Sequence, residues 1–129
     1  MNGRKHVVKV IGWGAELEES WSGKKLLRLK VTAEVDGVEG DCTITFSRRR
    51  ADNAALGRAY ASADAPGGRE TDAERFSALV KVLTDEEPRV YRMEGGRVMI
   101  ECGREHLDGF KRYAELADTI AKWQGETGR

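Results

Sequence analysis

The stretch that decides the fold is Lys25–Phe46, "KLLRLKVTAEVDGVEGDCTITF". Apolar and polar residues alternate along its first half, which is typical of a strand with one buried and one wet face. Asp36-Gly37 predicts a two-residue hairpin turn, because that turn needs positive φ at both central positions. Folding the chain there sets the register, which pairs apolar residues with apolar residues, for example Val31 with Cys42.

The segments on either side of this hairpin differ in character. His6–Trp21 predicts a further strand, bent at Gly12 and Gly14, with the connecting turn over residues 19–23. Ala51–Asp64 is rich in alanine and therefore predicts a helix.

The second half of the chain predicts helix, hairpin and helix. Thr71 and Glu74 have the spacing of a capping box that opens a helix. Around Gly95-Gly96 we expect a hairpin that places Tyr91 opposite Ile100. One long amphipathic helix is predicted to follow it.

These elements predict a single α+β domain over residues 1–129, in the order β-β-β-α-α-β-β-α. We expect an antiparallel sheet of about five strands with helices packed on one face. No apolar run is long enough to cross a membrane, and the N-terminal residues lack the apolar stretch of a signal peptide. The sequence therefore predicts a cytoplasmic protein with no membrane partner.

The charge balance excludes a strongly basic protein, since 22 Lys and Arg residues match 22 Asp and Glu residues. Nucleic acid is nevertheless a candidate partner for the outward face and one end of the first hairpin, which carry basic and threonine side chains. These are Lys24, Lys25, Arg28, Lys30, Thr43, Thr45, Arg48, Arg49 and Arg50. The alternative is an ordinary solvated strand face, on which Glu34 and Asp41 pair with the cations.

A second candidate site lies at Gly67, Gly68 and Arg69. Consecutive glycine amides before a helix could bind an anion, with the Arg69 side chain assisting. The alternative is a tight turn between two helices, because neither phosphate-binding glycine motif is present.

Four side chains could suggest a metal site: His6, Cys42, Cys102 and His106. Their spacing does not match a zinc motif, so we expect no metal and no cofactor. The two cysteines are predicted to face the core, either as buried thiols or as a Cys42–Cys102 disulfide. We expect no catalytic residue, because acidic groups such as Glu105 suit the first turn of a helix.

Three blocks carry a family resemblance: "DAPGGRETDAERF", "EEPRVYRM" and "IECGREHLDGFKRYAELADTIAKW". They resemble the crenarchaeal paralogous repeat (PaRep) family of hyperthermophilic archaea, over about Val8–Thr127. The resemblance implies an archaeal protein with no established activity, descended from mobile elements. The segment "HLDGF" resembles the helix motif of LAGLIDADG homing endonucleases, but Lys111 and Arg112 follow where that motif has its metal-binding acid.

The chain contains three residues with amide side chains, Asn2, Asn53 and Gln124. Such scarcity of deamidation-prone residues is typical of proteins from hot environments and agrees with the archaeal resemblance.

Three functions follow as hypotheses. The leading one is a non-catalytic binding module associated with DNA or RNA through the first hairpin. The alternative is a protein–protein interaction module that forms homodimers or larger homo-oligomers, with Trp13, Trp21 and Trp123 as an exposed aromatic patch. The third is an enzyme with an unrecognised site.

Overall fold

The computed structural model describes residues 6–128. Within this range the chain forms six strands and three helices around one hydrophobic core. The strands are β1 (Val8–Glu19), β2 (Lys25–Val35), β3 (Val38–Arg48), β4 (Ala55–Tyr60), β5 (Arg89–Arg92) and β6 (Val98–Cys102). The helices are α1 (Gly68–Thr84), α2 (Arg104–Phe110) and α3 (Ala114–Thr127).

All six strands form one antiparallel sheet in the order β1-β2-β3-β4-β6-β5. The predicted register of the first hairpin is confirmed, since Val31 lies opposite Cys42. Asp36 and Gly37 form the turn at φ 54° and 84°, the left-handed conformation that such a turn requires. β1 contains a bulge between Val10 and Gly12, close to the predicted bend.

The three helices pack on one face of the sheet and form the core with it. Leu27 and Leu29 of β2 are buried there, as is Trp123 of α3. The Trp123 indole N–H donates to the Lys25 carbonyl at 3.1 Å, which fixes α3 against the start of β2. The α+β fold class and the antiparallel sheet are thus confirmed. The sheet has six strands where about five were expected.

The predicted helix over Ala51–Asp64 is wrong, because this segment contains strand β4. Alanine favours helix, but β4 pairs with β3 on one side and with β6 on the other. Hydrogen bonding to two neighbours outweighs a propensity of a few tenths of a kcal/mol per residue. Asp52, near the start of that predicted helix, instead accepts hydrogen bonds from the Arg49 guanidinium and the Ala54 N–H.

The predicted start of α1 is also wrong, because the helix begins at Gly68 and Thr71 lies inside its first turn. No side chain caps its N-terminus. The capping-box spacing was therefore present in the sequence without serving as the helix start.

The second hairpin has a register one residue away from the prediction, with Tyr91 opposite Met99. Its connection is a longer loop containing a 3-10 turn, Glu94–Gly96, closed by a hydrogen bond from the Met93 N–H to the Arg97 carbonyl. A shift of one residue exchanges the two faces of a strand. Val90 therefore packs on the core, and Tyr91 points to solvent.

The final helix is divided into α2 and α3 at residues 111–113. His106 lies in the first turn of α2 and is completely buried. Its Nδ1 accepts the Gly103 N–H and its Nε2 donates to the Glu87 carbonyl, both at 2.9 Å. Because Nδ1 is an acceptor, the ring is the neutral tautomer with its proton on Nε2. No helix of the described residues is long and apolar enough to span a membrane.

Candidate functional site

The sheet face opposite the helices is exposed to solvent within residues 6–128. We call it the open face and define it by the side chains that alternate with the buried ones along the strands. Its central members, from β2 to β5, are Arg28, Lys30, Thr32, Asp41, Thr43, Thr45, Arg58, Tyr60, Arg97, Met99, Glu101, Arg89 and Tyr91.

An aromatic row crosses the second half of this face. Tyr60 of β4 and Tyr91 of β5 both lie opposite Met99 of β6, one on each side. Tyr60 is 51% exposed and Tyr91 43% exposed. Two strand spacings, about 10 Å in total, separate the strands that carry the two tyrosines. The row thus presents two accessible aromatic side chains with a thioether between them.

Basic side chains flank this row. The Arg97 guanidinium lies 5.8 Å from the centre of the Tyr60 ring, a cation–π distance. Arg89 Nε donates to Glu101 Oε1 at 3.0 Å, and this hydrogen bond raises the pKa of Arg89. Arg58 lies opposite Glu101 on β6, and within residues 6–128 it forms no ion pair.

The β2–β3 half of the open face contains the predicted residues Arg28, Lys30, Thr43 and Thr45, which the register brings side by side. Arg28 Nη1 is 2.8 Å from Glu18 Oε2 on β1, and Lys30 Nζ is 3.6 Å from Asp41 Oδ2.

Asp41 also accepts a hydrogen bond from Thr32 at 2.6 Å, which lowers the pKa of the Asp41 carboxyl. The expected pairing of Asp41 with a strand-face cation is therefore present. It involves Lys30, whereas Arg58 and Arg97 form no ion pair within residues 6–128.

The other predicted nucleic-acid residues lie away from the open face. Lys24 is in the β1–β2 turn, and Lys25 Nζ is 3.2 Å from Glu126. Arg48 packs over the Trp123 ring at 4.5 Å, on the helix side of the sheet. Arg49 holds Asp52 through two hydrogen bonds and Arg50 is exposed in the same loop. The predicted set is therefore divided between two surfaces.

Gly67 and Gly68 both adopt left-handed backbone, at φ 84° and 86°. The Gly68 N–H donates to the Ala65 carbonyl, and Arg69 Nη1 donates to the Gly96 carbonyl at 3.1 Å. These glycines form a turn between β4 and α1, where a turn between two helices was expected. Anion binding by Gly67, Gly68 and Arg69 stays a prediction, and an anion there would compete with these two backbone carbonyls.

Cys42 and Cys102 are free thiols, so the predicted disulfide is not formed. Gly57 lies opposite both Phe46 and Cys102, which makes those two residues level across the sheet. Cys42 is four residues from Phe46, about 13 Å along β3, and two strands from β6, about 10 Å. A disulfide needs Cα atoms within about 7 Å. Burial instead raises the pKa of each thiol to about 12.

Among residues 6–128 no three His, Cys, Asp or Glu side chains are grouped so that they could hold a metal ion. His106 is internal and uses both ring nitrogens on backbone groups, as described above. His6 Nδ1 contacts Asp36 Oδ2 at 2.7 Å.

The predicted exposed tryptophan patch is wrong, because only one of the three rings is fully exposed. Trp21 is fully exposed in a turn, and Trp123 is fully buried. Trp13 stacks on Tyr113 with ring centres 4.7 Å apart. Only Trp21 is therefore available to a partner.

Comparison with known proteins adds no relative. No family model matches the chain, and searches of curated proteins and of solved structures find no match. The PaRep resemblance and the mobile-element descent that it implies therefore stay predictions.

Proposed function

We propose that this chain is a non-catalytic binding module that takes single-stranded nucleic acid on its open face. The observation that carries the proposal is the pair of exposed rings, Tyr60 and Tyr91, on a bare antiparallel sheet among basic side chains. Sheet faces with exposed aromatics bind unpaired bases by stacking, and neighbouring cations contact the phosphates.

The local charge supports this proposal even though the whole chain is neutral. In the two rows of the open face that run from β2 to β5, one acidic residue is present, Glu101. The basic residues of the same rows are Arg28, Lys30, Arg58 and Arg89. Arg28, Lys30 and Arg89 are paired with carboxylates. The cations that remain for phosphates beside the stacked bases are therefore Arg58 and Arg97, next to the aromatic row.

Single strands are favoured over duplexes by the flatness of this surface. A duplex hides its bases and is read by an element that enters a groove. Within residues 6–128, the open face carries no helix that could do so. Unpaired bases can instead lie directly on the two tyrosine rings, whose strands are about 10 Å apart.

Fluorescence anisotropy tests the proposal with labelled RNA and DNA single strands of about a dozen nucleotides and the corresponding duplex, over a salt series. We expect the single strands to bind more tightly than the duplex. Tyr60→Ala and Tyr91→Ala should each weaken binding by about 5- to 100-fold. Arg58→Ala should weaken it and lower the salt slope by about 1.

The matched control is Arg104→Ala, which removes one exposed guanidinium from α2, on the helix side of the sheet. It should leave the affinity close to that of the wild type. Three results would contradict the proposal: no binding at low salt, tyrosine variants that bind like the wild type, or equal losses from Arg58→Ala and Arg104→Ala.

A second candidate function is self-association through β1, which corresponds to the predicted homodimer. β1 is a twelve-residue edge strand that pairs with β2 alone among the described strands. Val7 and Ile11 at this edge are 72% and 50% exposed. Long apolar edges are templates for pairing with another chain. Light scattering over a concentration series tests it: the wild type should dimerise and Ile11→Lys should not, whereas a wild type that stays monomeric excludes this function.

A further inference from the structure

A cleft of about 430 Å³ opens beside β3, where this strand extends past its pairing with β4. β3 and β4 pair over Thr45–Arg48 and Ala55–Arg58, but β3 extends beyond this pairing to Val38. The other walls of the cleft are the segment after β4 and the first half of α1. Part of an interior strand therefore has an open side.

The backbone of β3 presents hydrogen-bonding groups to this cleft. Val35 and Val38 flank the two-residue turn and lie opposite each other, so their N–H and C=O groups bond to one another. Backbone direction alternates along a strand. The N–H and C=O groups of Glu39 and Asp41 therefore point away from β2 and towards the cleft, where β4 no longer runs beside β3.

The side chains of these two residues make the open-face side of the cleft acidic. Glu39 lies directly opposite Glu34 of β2, a pairing of like charges, and Lys9 of β1 lies on the other side of Glu34. Asp41, whose carboxylate Lys30 and Thr32 contact, is the next open-face residue along β3. A basic side chain on an added strand would lie next to Glu39 in the same row and would relieve its repulsion with Glu34.

The helix side of the cleft is apolar at its floor and polar at its wall. Val35, Cys42 and Phe76 line the floor, next to Gly40, which has no side chain. Arg75 stands in the wall with its side chain 12% exposed. Its Nη2 donates to the Pro66 carbonyl at 2.7 Å and lies 3.7 Å from Asp72 Oδ1. The guanidinium has further N–H donors for a peptide carbonyl.

We propose that this cleft binds an extended peptide segment of a partner protein as an additional strand beside β3, with basic and apolar residues in alternation. The alternation follows from the pleat: residues on one side of the added strand meet Glu39 and Asp41, and those on the other enter the apolar floor. This site borders the aromatic row proposed to bind nucleic acid, because Tyr60 also lines the cleft, but its test uses peptides and does not depend on that function.

Binding is tested by fluorescence anisotropy with a short labelled peptide of alternating valine and lysine. A peptide with glutamate in place of lysine should bind at least about 10-fold more weakly, because it meets Glu39 and Asp41 with like charge. Two further peptides carry N-methyl groups on alternate amides, one on the odd-numbered and one on the even-numbered residues, so that each lacks the N–H donors along one edge of its strand. One of the two should fail to bind, and the other should bind like the unmethylated peptide.

Two protein variants locate the site. Gly40→Phe fills the floor, and a Cβ at Gly40 has no neighbour within 4 Å, so the variant should fold. It should weaken binding by about 10-fold or more, whereas Gly125→Phe, at another glycine with open space, should not. Glu39→Lys should reverse the preference between the two peptides. The proposal fails if the valine–lysine peptide does not bind, if both methylation phases behave alike, or if Gly40→Phe binds like Gly125→Phe.

Discussion

Replacing Gly57 by alanine should destabilise the fold, because Gly57 lies beneath a fully buried aromatic ring. A Cβ at this position would be 2.6 Å from Phe46 Cε2 and 2.8 Å from Ile44 Cγ2. Ordinary contacts begin near 3.4 Å, so the ring would have to move by almost 1 Å. Phe46 is completely buried and packs against Trp123 with ring centres 6.4 Å apart, so this movement would also disturb α3.

The expected loss follows from two opposing terms. Overpacking of this kind costs about 1–3 kcal/mol, and the smaller entropy of an unfolded chain with alanine offsets about 0.4–1 kcal/mol. The centres of the two ranges give a net loss of about 1.3 kcal/mol in the free energy of unfolding. At about 2.1 cal/mol/K per residue for the unfolding entropy, this lowers Tm by about 5 °C for a chain of this length.

Urea unfolding and calorimetry measure both quantities. Gly40→Ala, a strand glycine with open space, is the matched control and should cost nothing or stabilise slightly. Phe46→Leu in the Gly57→Ala background should cost less than Phe46→Leu alone, because the smaller side chain relieves the collision. A Gly57→Ala variant within about 0.5 kcal/mol of the wild type, or purely additive losses in the double variant, would refute this account of Gly57.

Three further predictions concern buried groups. His106→Ala should lower the free energy of unfolding by about 3 kcal/mol or more, because it leaves two backbone groups unsatisfied and creates a cavity. Urea titration measures this loss, and a value below about 1 kcal/mol would contradict the prediction. Since burial raises the pKa of Cys42 and Cys102 to about 12 from 9, the folded state holds these protons longer than the unfolded state, and stability should fall as pH rises above 9. At pH 8 native Cys102, which is fully buried, should react with a disulfide reagent far more slowly than in urea, and equal rates would exclude a buried thiol. Trp21→Ala should leave Tm unchanged whereas Trp123→Ala should cost about 3–5 kcal/mol, and similar values for the two would contradict the burial of Trp123.

The first hairpin could be predicted to the residue because its information is local. The Asp36-Gly37 turn sets the register, and the alternation on both strands agrees with it. The second hairpin has two glycines in its connection as well, but Gly95 and Gly96 lie in a longer loop. A two-residue turn at these glycines predicts a register that differs by one residue from the observed pairing of β5 with β6.

Strand β4 was missed because alanine favours a helix, and Gly57 is only a weak local signal against one. Its one sequence signal is the alternation of small and large side chains over Gly57–Tyr60, which is short and easily overlooked. Without β4, the face that carries Arg58 and Tyr60 cannot be assembled from the sequence. The strand order β4-β6-β5, which brings Tyr91 into the same row as Tyr60, is a property of tertiary packing that no short motif specifies.

The position of α3 sets a constraint on the order in which the molecule can fold. α3 covers β1 and β2, and its Trp123 binds the Lys25 carbonyl, so the helix furthest along the chain completes the core of the two earliest strands. During synthesis, the first hairpin leaves the ribosome with its apolar side not yet covered by α3, because Trp123 follows about 75 residues after the end of the hairpin at Arg48. The apolar face of the early strands therefore stays exposed while the rest of the chain is synthesised. During this interval a chaperone or a neighbouring nascent chain would meet it.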